Sequence, residues 1–262
     1  MLRSRPALEY SARGLVGILT PQANTTVEAE LGVLIPPGVG SAVSRLTCYD
    51  EDSKARLLGY FRNVVAAVRA FDTARPQVCL FACTGSTYLV GLEEEDRAFA
   101  ALPARTVSAA RAVLAALDAL GAKRMALISP YPAWLTEACV AFWRGQGREI
   151  AEVRSPLGDR SDTRRIYGLE SRDALEQLRA LAGVRADCVL ITGTGMPTLG
   201  AIARAPGSMP VLSSNLCLGW AAEQALAQAG TDRASLERWL APDAPWRARL
   251  AARFPHSLES PS

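Results

Sequence analysis

The groups in this chain able to act on a small molecule are few, and their spacing narrows the chemistry. Six cysteines stand at positions 48, 79, 83, 139, 188 and 217 without any Cys-x-x-Cys pair, and the single histidine, His256, lies in the tail RFPHSLESPS. Zinc sites need clustered Cys or His ligands, so no metal is expected. A serine or cysteine triad that relies on imidazole is excluded for the same reason. The segment TGTGMPTLG lacks the G-x-G-x-x-G spacing, contains Pro197 and is followed by no P-loop lysine, so neither a dinucleotide nor any other cofactor is expected. Its glycines suit close approach of backbone to a small anion.

Among the cysteines, Cys83 stands apart. In FACTGSTYLV it follows QVCLFA, an apolar run that reads as a strand buried on both faces, and it precedes TGST, which reads as a turn and a helix start. A thiol there sits at the carboxyl end of a strand, the edge of an open α/β sheet where loops and helix amino termini present unpaired N–H groups. With no histidine available, its thiolate would need those N–H groups and the helix started by GSTYLVGLEEE for stabilisation. Cys79, four residues earlier, reads as a plain buried thiol. In TPQANTT one of Asn24, Thr25 and Thr26 is expected to cap the helix begun by VEAEL, leaving N–H groups for a carboxylate. Tyr131 in SPY offers a hydroxyl for a substrate oxygen.

The elements that must position these residues follow from the hydrophobic pattern. With 262 residues, 49% hydrophobic and 21% charged, the chain can form one large core or two lobes. Short apolar runs (GLVGILTP, SAVSRLTC, QVCLFACTG) alternate with segments of helical period, and the second half repeats the plan with KRMALISPY, DCVLITGTG and MPVLSSNLCLGWAAEQALAQAG. Such alternation predicts parallel strands flanked by helices. A faint internal duplication at a spacing of about 110 residues predicts two pseudo-symmetric Rossmann-like lobes, each a mostly parallel four-stranded sheet, with the site in the cleft between them. The expected division is an N-terminal extension over 1–13, lobe 1 over 14–118, lobe 2 over 119–228, and a C-terminal helix and frayed tail over 229–262. Residues 102–124 read as one strong helix ended by Gly121.

The 29 basic and 26 acidic side chains are scattered and give a net charge of +3, without the dense basic patch of a nucleic-acid or membrane-surface binder. No apolar run reaches the length of a transmembrane helix, and MLRSRPALEYSARG lacks a signal-peptide core. A cytoplasmic protein acting on a small molecule is the expectation, with a homo-oligomer as a candidate assembly.

The blocks GILTPQANTTVEAEL, ACTGS, ALISPY, GTGMPTLGAI and PVLSSNLCLGWA resemble, in order and spacing, those of the Asp/Glu racemase superfamily, specifically its branch of maleate cis-trans isomerases and arylmalonate decarboxylases. The resemblance spans most of residues 14–228. It implies a small dicarboxylate substrate and assigns roles: Cys83 as nucleophile, and Asn24, Thr84 and Tyr131 as carboxylate holders. Thr163, in SDTRRIYG, falls where the isomerases place a second asparagine. The second family cysteine should precede the MPTL block, but Gly193 stands there, flanked by Thr192 and Thr194. Arylmalonate decarboxylases also keep one cysteine of the two, but the other one.

Cofactor-free racemisation needs an acid and a base on opposite faces of one carbon, and Gly193 removes one of them; an alcohol at 192 or 194 is too weak a replacement. Two reactions need a single thiol. One is cis-trans isomerisation by addition of Cys83 to an alkene, the leading expectation. The other is decarboxylation with Cys83 protonating an enediolate held by donors. A catalytically silent carboxylate binder is the third alternative.

Overall fold

The computed structural model describes residues 9–158 and 162–259. Residues 1–8 of the expected N-terminal extension and 260–262 of the expected tail lie outside the described residues. Among those described, two four-stranded sheets form, both entirely parallel.

The first contains β1 (Gly14–Pro21), β2 (Val39–Leu46), β3 (Val78–Phe81) and β4 (Thr106–Ser108), in the order β2-β1-β3-β4. The second contains β5 (Arg124–Ile128), β6 (Glu149–Arg154), β7 (Cys188–Ile191) and β8 (Val211–Ser213), in the equivalent order β6-β5-β7-β8. Helices cover both faces of a parallel sheet, so its central strands are apolar throughout; every residue of β1, β3 and β7 is buried, while the edge strands β2 and β6 are largely not.

The duplication fixes where the loops begin. Asn24 and Tyr131 each stand three residues beyond the ends of β1 and β5, and Cys83 and Gly193 each stand two beyond the ends of β3 and β7. Cys83 and Gly193 therefore occupy equivalent places in the two sheets.

Three local expectations are corrected. Residues 102–124 are not one helix: the β-branched Thr106 and Val107 extend as β4 beside β3, and α6 (Ala109–Leu120) starts only where Ser108 Oγ accepts from the Arg111 N–H at 3.1 Å. Gly121 does end that helix, with φ +68. The segment KARLLGYFRNVVAAVRAF divides at Asn63 into α2 (Ser53–Arg62) and α3 (Val64–Arg69). The helix expected from GSTYLVGLEEE is two, α4 (Thr84–Val90) and α5 (Leu92–Ala100), because Gly91 turns the chain at φ +79.

The C-terminal region is more ordered than one helix and a frayed end. After α10 (Ser214–Leu226) come α11 (Arg233–Leu240) and α12 (Pro245–Arg253). Trp246 is fully buried and donates its indole N–H to Trp239 O at 2.8 Å. Arg249 donates to Val33 O and Leu34 O at 2.6 and 3.0 Å, satisfying carbonyls at the end of α1 (Thr26–Leu34). Helix α10 lies against α1 of the first sheet, closely enough that a β-carbon at Gly219 would come within 2.8 Å of Leu34. No helix among the described residues is long and apolar enough to cross a membrane.

Candidate active site

Cys83 leaves β3 with φ −142 and ψ 85 and occupies the cap position of α4, nearly buried at 4% exposure. Its Sγ lies 3.0 Å from Ser86 Oγ, one turn into that helix. Ser86 Oγ in turn donates to Leu57 O at 2.7 Å. A hydroxyl has one proton, so the sulfur is the donor and rests as a thiol. Burial pushes the Cys83 thiol up from its ordinary range, and the Ser86 hydroxyl and backbone N–H only partly oppose that rise. The expected stabilising N–H is present, but desolvation outweighs it.

Asn24 Nδ2 donates to Thr194 Oγ1 at 3.1 Å, and Thr194 Oγ1 donates to Ala82 O at 2.9 Å, beside Cys83. This line of hydrogen bonds ties the loops after β1, β7 and β3 together. Asn24 also caps α1 by accepting from the Val27 N–H at 3.2 Å, while Thr25, the residue at the cap position, makes no side-chain cap bond. Thr84 and Tyr131 join the loops after β3 and β5 through a 2.6 Å hydroxyl–hydroxyl bond. Burial drives the Tyr131 phenol far above its ordinary range, so it remains protonated and able to donate. Thr163 begins a short 3-10 helix, Thr163–Gly168, and accepts from Arg56 Nη2 at 3.3 Å.

Asn24, Cys83, Thr84, Tyr131, Thr163 and Thr194 line one small pocket of about 40 Å³, room for roughly three water-sized positions. Gly193 lies at its margin with φ +85, and a β-carbon there would meet Ile166 Cδ1 at 2.9 Å and Tyr131 Oη at 3.2 Å. Ile166, itself in the pocket wall, occupies the space a side chain at 193 would need. Thr192 is fully buried and bonded to Tyr88 Oη at 2.6 Å, and does not line the pocket. A groove of about 790 Å³ opens between α1, α9 (Leu199–Ala203) and α12, but it contains none of these seven residues. The small pocket, not the larger groove, brings the Cys83 thiol together with hydrogen-bond donors, and is the candidate site.

Four residues of the site escape a reading of motifs alone. Ser86 is in the motif but reads as turn chemistry. Arg56 and Tyr60 belong to α2, and Tyr167 to the 3-10 helix; all three line the pocket. The signal available was the i, i+4 pairing of Arg56 and Tyr60 on one helix face.

A second layer holds the lobes in register. Glu30 of α1, fully buried, accepts from Leu199 N at 2.8 Å, from Thr198 Oγ1 at 3.1 Å and from Asn215 Nδ2 at 2.8 Å, and takes the Thr198 N–H as well. Asn215 Nδ2 also reaches Thr194 O at 3.1 Å, which connects Glu30 to the pocket wall.

A family model described as arylmalonate decarboxylase matches residues 78–238. A maleate isomerase of Nocardia farcinica is 25% identical over 217 residues, covering 76% of this chain and 84% of that protein. One from Geobacillus stearothermophilus is 24% identical over 220 residues, covering 76% and 86%. Among solved structures, a Nocardia farcinica maleate cis-trans isomerase mutant with a covalently bound succinylcysteine intermediate superposes with a TM-score of 0.67 at 24% identity, covering 82% of this chain and 93% of that one. An arylmalonate decarboxylase superposes with a TM-score of 0.67 at 20% identity, covering 81% and 92%. At these identities the superpositions establish a shared fold of two parallel sheets.

Proposed function

The chain belongs to the arylmalonate decarboxylase family, and from that premise we propose that it is a cofactor-independent enzyme in which Cys83 performs cis-trans isomerisation of a small unsaturated dicarboxylate such as maleate. The observation that carries this reading is the placement of Cys83 in one small pocket with two hydrogen-bonded pairs, Thr84–Tyr131 and Asn24–Thr194, drawn from four different loops. Buried donors oriented before substrate arrives are what a developing enediolate requires. The maleate isomerases among the sequence relatives, and the succinylcysteine named for the Nocardia farcinica structure, support the same chemistry.

In this mechanism Cys83 first loses its proton to solvent, the thiolate forms a C–S bond to one alkene carbon, and the π pair moves to the neighbouring carbon and into its carboxylate. The former double bond is now single and rotates. The pair then returns, the C–S bond breaks, and the trans diacid leaves with the thiolate regenerated. Thr84, Tyr131 and Asn24 hold the carboxylate that carries the transient charge. One nucleophile suffices, which accommodates glycine at 193.

A specific observation favours a second reading. Because Ser86 gives its proton to Leu57 O, the resting sulfur is a thiol, the form required of a proton donor. In an arylmalonate-type decarboxylation the C–C bond to one carboxylate breaks, carbon dioxide leaves with that carboxylate's oxygens, and the enediolate takes the Cys83 proton on carbon. Assaying the protein and its Cys83→Ala variant side by side on maleate and phenylmalonate tests both. Cys83-dependent turnover of maleate alone supports the isomerase, turnover of phenylmalonate alone supports the decarboxylase, and turnover of neither leaves a carboxylate binder.

A further inference from the structure

Among the described residues the wall of the Cys83 pocket contains two arginines, Arg56 and Arg164, and no acidic residue. Arg56 is 2% exposed and held rigidly. Its Nη1 donates to Asp50 O and Glu51 O at 2.9 and 3.1 Å, and its Nη2 to Ser53 Oγ, Asp162 Oδ1 and Thr163 Oγ1 at 3.0, 3.1 and 3.3 Å. Carbonyls and hydroxyls orient a guanidinium but carry no compensating charge. Among the described residues the one carboxylate that touches it, Asp162, is outside the pocket wall, partly exposed, and bound at the same time by Arg164 at 2.9 Å. A buried cation with so little neutralisation favours an anion beside it.

Two hydroxyls accompany that charge. Tyr60 follows Arg56 by one helical turn and is 4% exposed; Tyr167 enters from the 3-10 helix. Neither hydroxyl has a hydrogen-bond partner among the described residues, and both side chains line the pocket. A hydroxyl that faces a pocket without a protein partner is free to bond a ligand oxygen. Both phenols are near the reacting sulfur: burial pushes Tyr60 up to about 12, with Cys83 adding to the rise and Arg56 opposing it, and Tyr167 responds to the same two groups. The hydroxyls of Thr84 and Tyr131, by contrast, already pair with each other.

We infer that Arg56, Tyr60 and Tyr167 form a second carboxylate subsite, which binds the non-reacting carboxylate of the substrate and selects small diacids over acids bearing an aryl or alkyl group there. The inference rests on the reading that Cys83 acts on a carboxylic acid, and it deepens that reading by assigning each end of a diacid its own donors. A charged, narrow subsite of this kind fits a four-carbon diacid and rejects a phenyl ring.

The test separates binding from turnover by using Cys83→Ala protein, titrated calorimetrically with succinate and with butyrate, which have four carbons each and differ by one carboxylate. Succinate is expected to bind at least about tenfold more tightly, since hydrogen bonds to a charged group are worth that much or more. Adding Tyr60→Phe and Tyr167→Phe, which change no shape in the core, is expected to weaken succinate by about tenfold while leaving butyrate within about twofold. Arg56→Lys, which keeps the charge but loses the fork, is expected to fall between those proteins and an Arg56→Met variant, with thermal melting used to verify that each variant is folded. Equal affinity for the two acids, or equal losses for both in the tyrosine variants, overturns the subsite. If the unmodified protein turns over no diacid while the succinate preference and its loss persist, the catalytic reading fails and the subsite stands.

Discussion

Cys83 Sγ and Ser86 Oγ lie 3.0 Å apart, and the serine proton is committed to Leu57 O. The sulfur therefore donates its S–H to the serine oxygen at rest, and is stabilised as an anion only if the serine hydroxyl turns from Leu57 to face it. The same hydroxyl that holds the thiol is the one that lowers its pKa against burial.

Replacing Ser86 with alanine removes that opposition. The midpoint of Cys83 alkylation by iodoacetamide, followed against pH, is expected to move up by about one to two units, since a hydrogen bond to a charged group is worth about 1.5–3 kcal/mol. An unmoved midpoint contradicts the assignment of Ser86.

The direction of the Cys83 shift also separates the two chemistries. An addition mechanism uses the thiolate, so maleate turnover is expected to climb as pH rises toward the elevated thiol pKa. A proton-donating mechanism uses the thiol, so phenylmalonate decarboxylation is expected to hold constant and then fall over the same range. A flat profile for the substrate that is turned over, with substrate ionisation accounted for, rules out Cys83 as the titrating group.

The remaining buried thiols make a stability prediction. Burial raises Cys79 from 9.0 to about 11 and Cys139 and Cys188 to about 12. The native state thus keeps protons that the unfolded chain releases, so their contribution is complete below about pH 9 and is lost as pH rises through the folded values. The urea midpoint is expected to drop between about pH 8 and pH 10, by the equivalent of roughly 1 kcal/mol for each such thiol. A midpoint that stays level or rises across that interval contradicts the burial of these groups.

Gly193→Cys restores the residue type of the two-cysteine relatives but is expected to damage this protein. The position has φ +85, and the new β-carbon would sit 2.9 Å from Ile166 Cδ1. Left-handed strain and crowding together are expected to cost about 2–4 kcal/mol in denaturant unfolding. Ile166→Ala is expected to cost less in the Gly193→Cys protein than in the parent, because there it also relieves the crowding. A single variant as stable as the parent refutes the packing argument.

Glu30→Ala leaves the Thr198, Leu199 and Asn215 donors without their acceptor. A loss of about 3 kcal/mol or more in stability is expected, with lower turnover because Asn215 no longer braces Thr194 O. Unchanged stability would mean that this buried network does not hold the two lobes in register.

Much of the site was legible because its chemistry is carried by residues next to strand ends. Cys83, Asn24, Tyr131 and Gly193 each follow an apolar run by two or three residues, and the repeated strand order places such positions at one cleft. Arg56, Tyr60 and Tyr167 were not legible: an arginine or tyrosine on a helix reads as surface or packing until the neighbouring elements are placed. The start of α6 was misread for a related reason, since Thr106 to Ser108 extend only because β3 offers its edge as a pairing partner.

The sequence by itself indicated two pseudo-symmetric, mostly parallel four-stranded sheets and the loops that face each other between them, and pointed to one thiol without imidazole. These follow from periodicity and residue type, which are local. Tertiary structure alone decided the protonation of Cys83, the occupation of the Gly193 space by Ile166, and the assembly of Arg56 with two unpaired tyrosine hydroxyls. Each of those depends on burial and on contacts between residues far apart in the chain, and desolvation has no value until the neighbours that exclude water are in place.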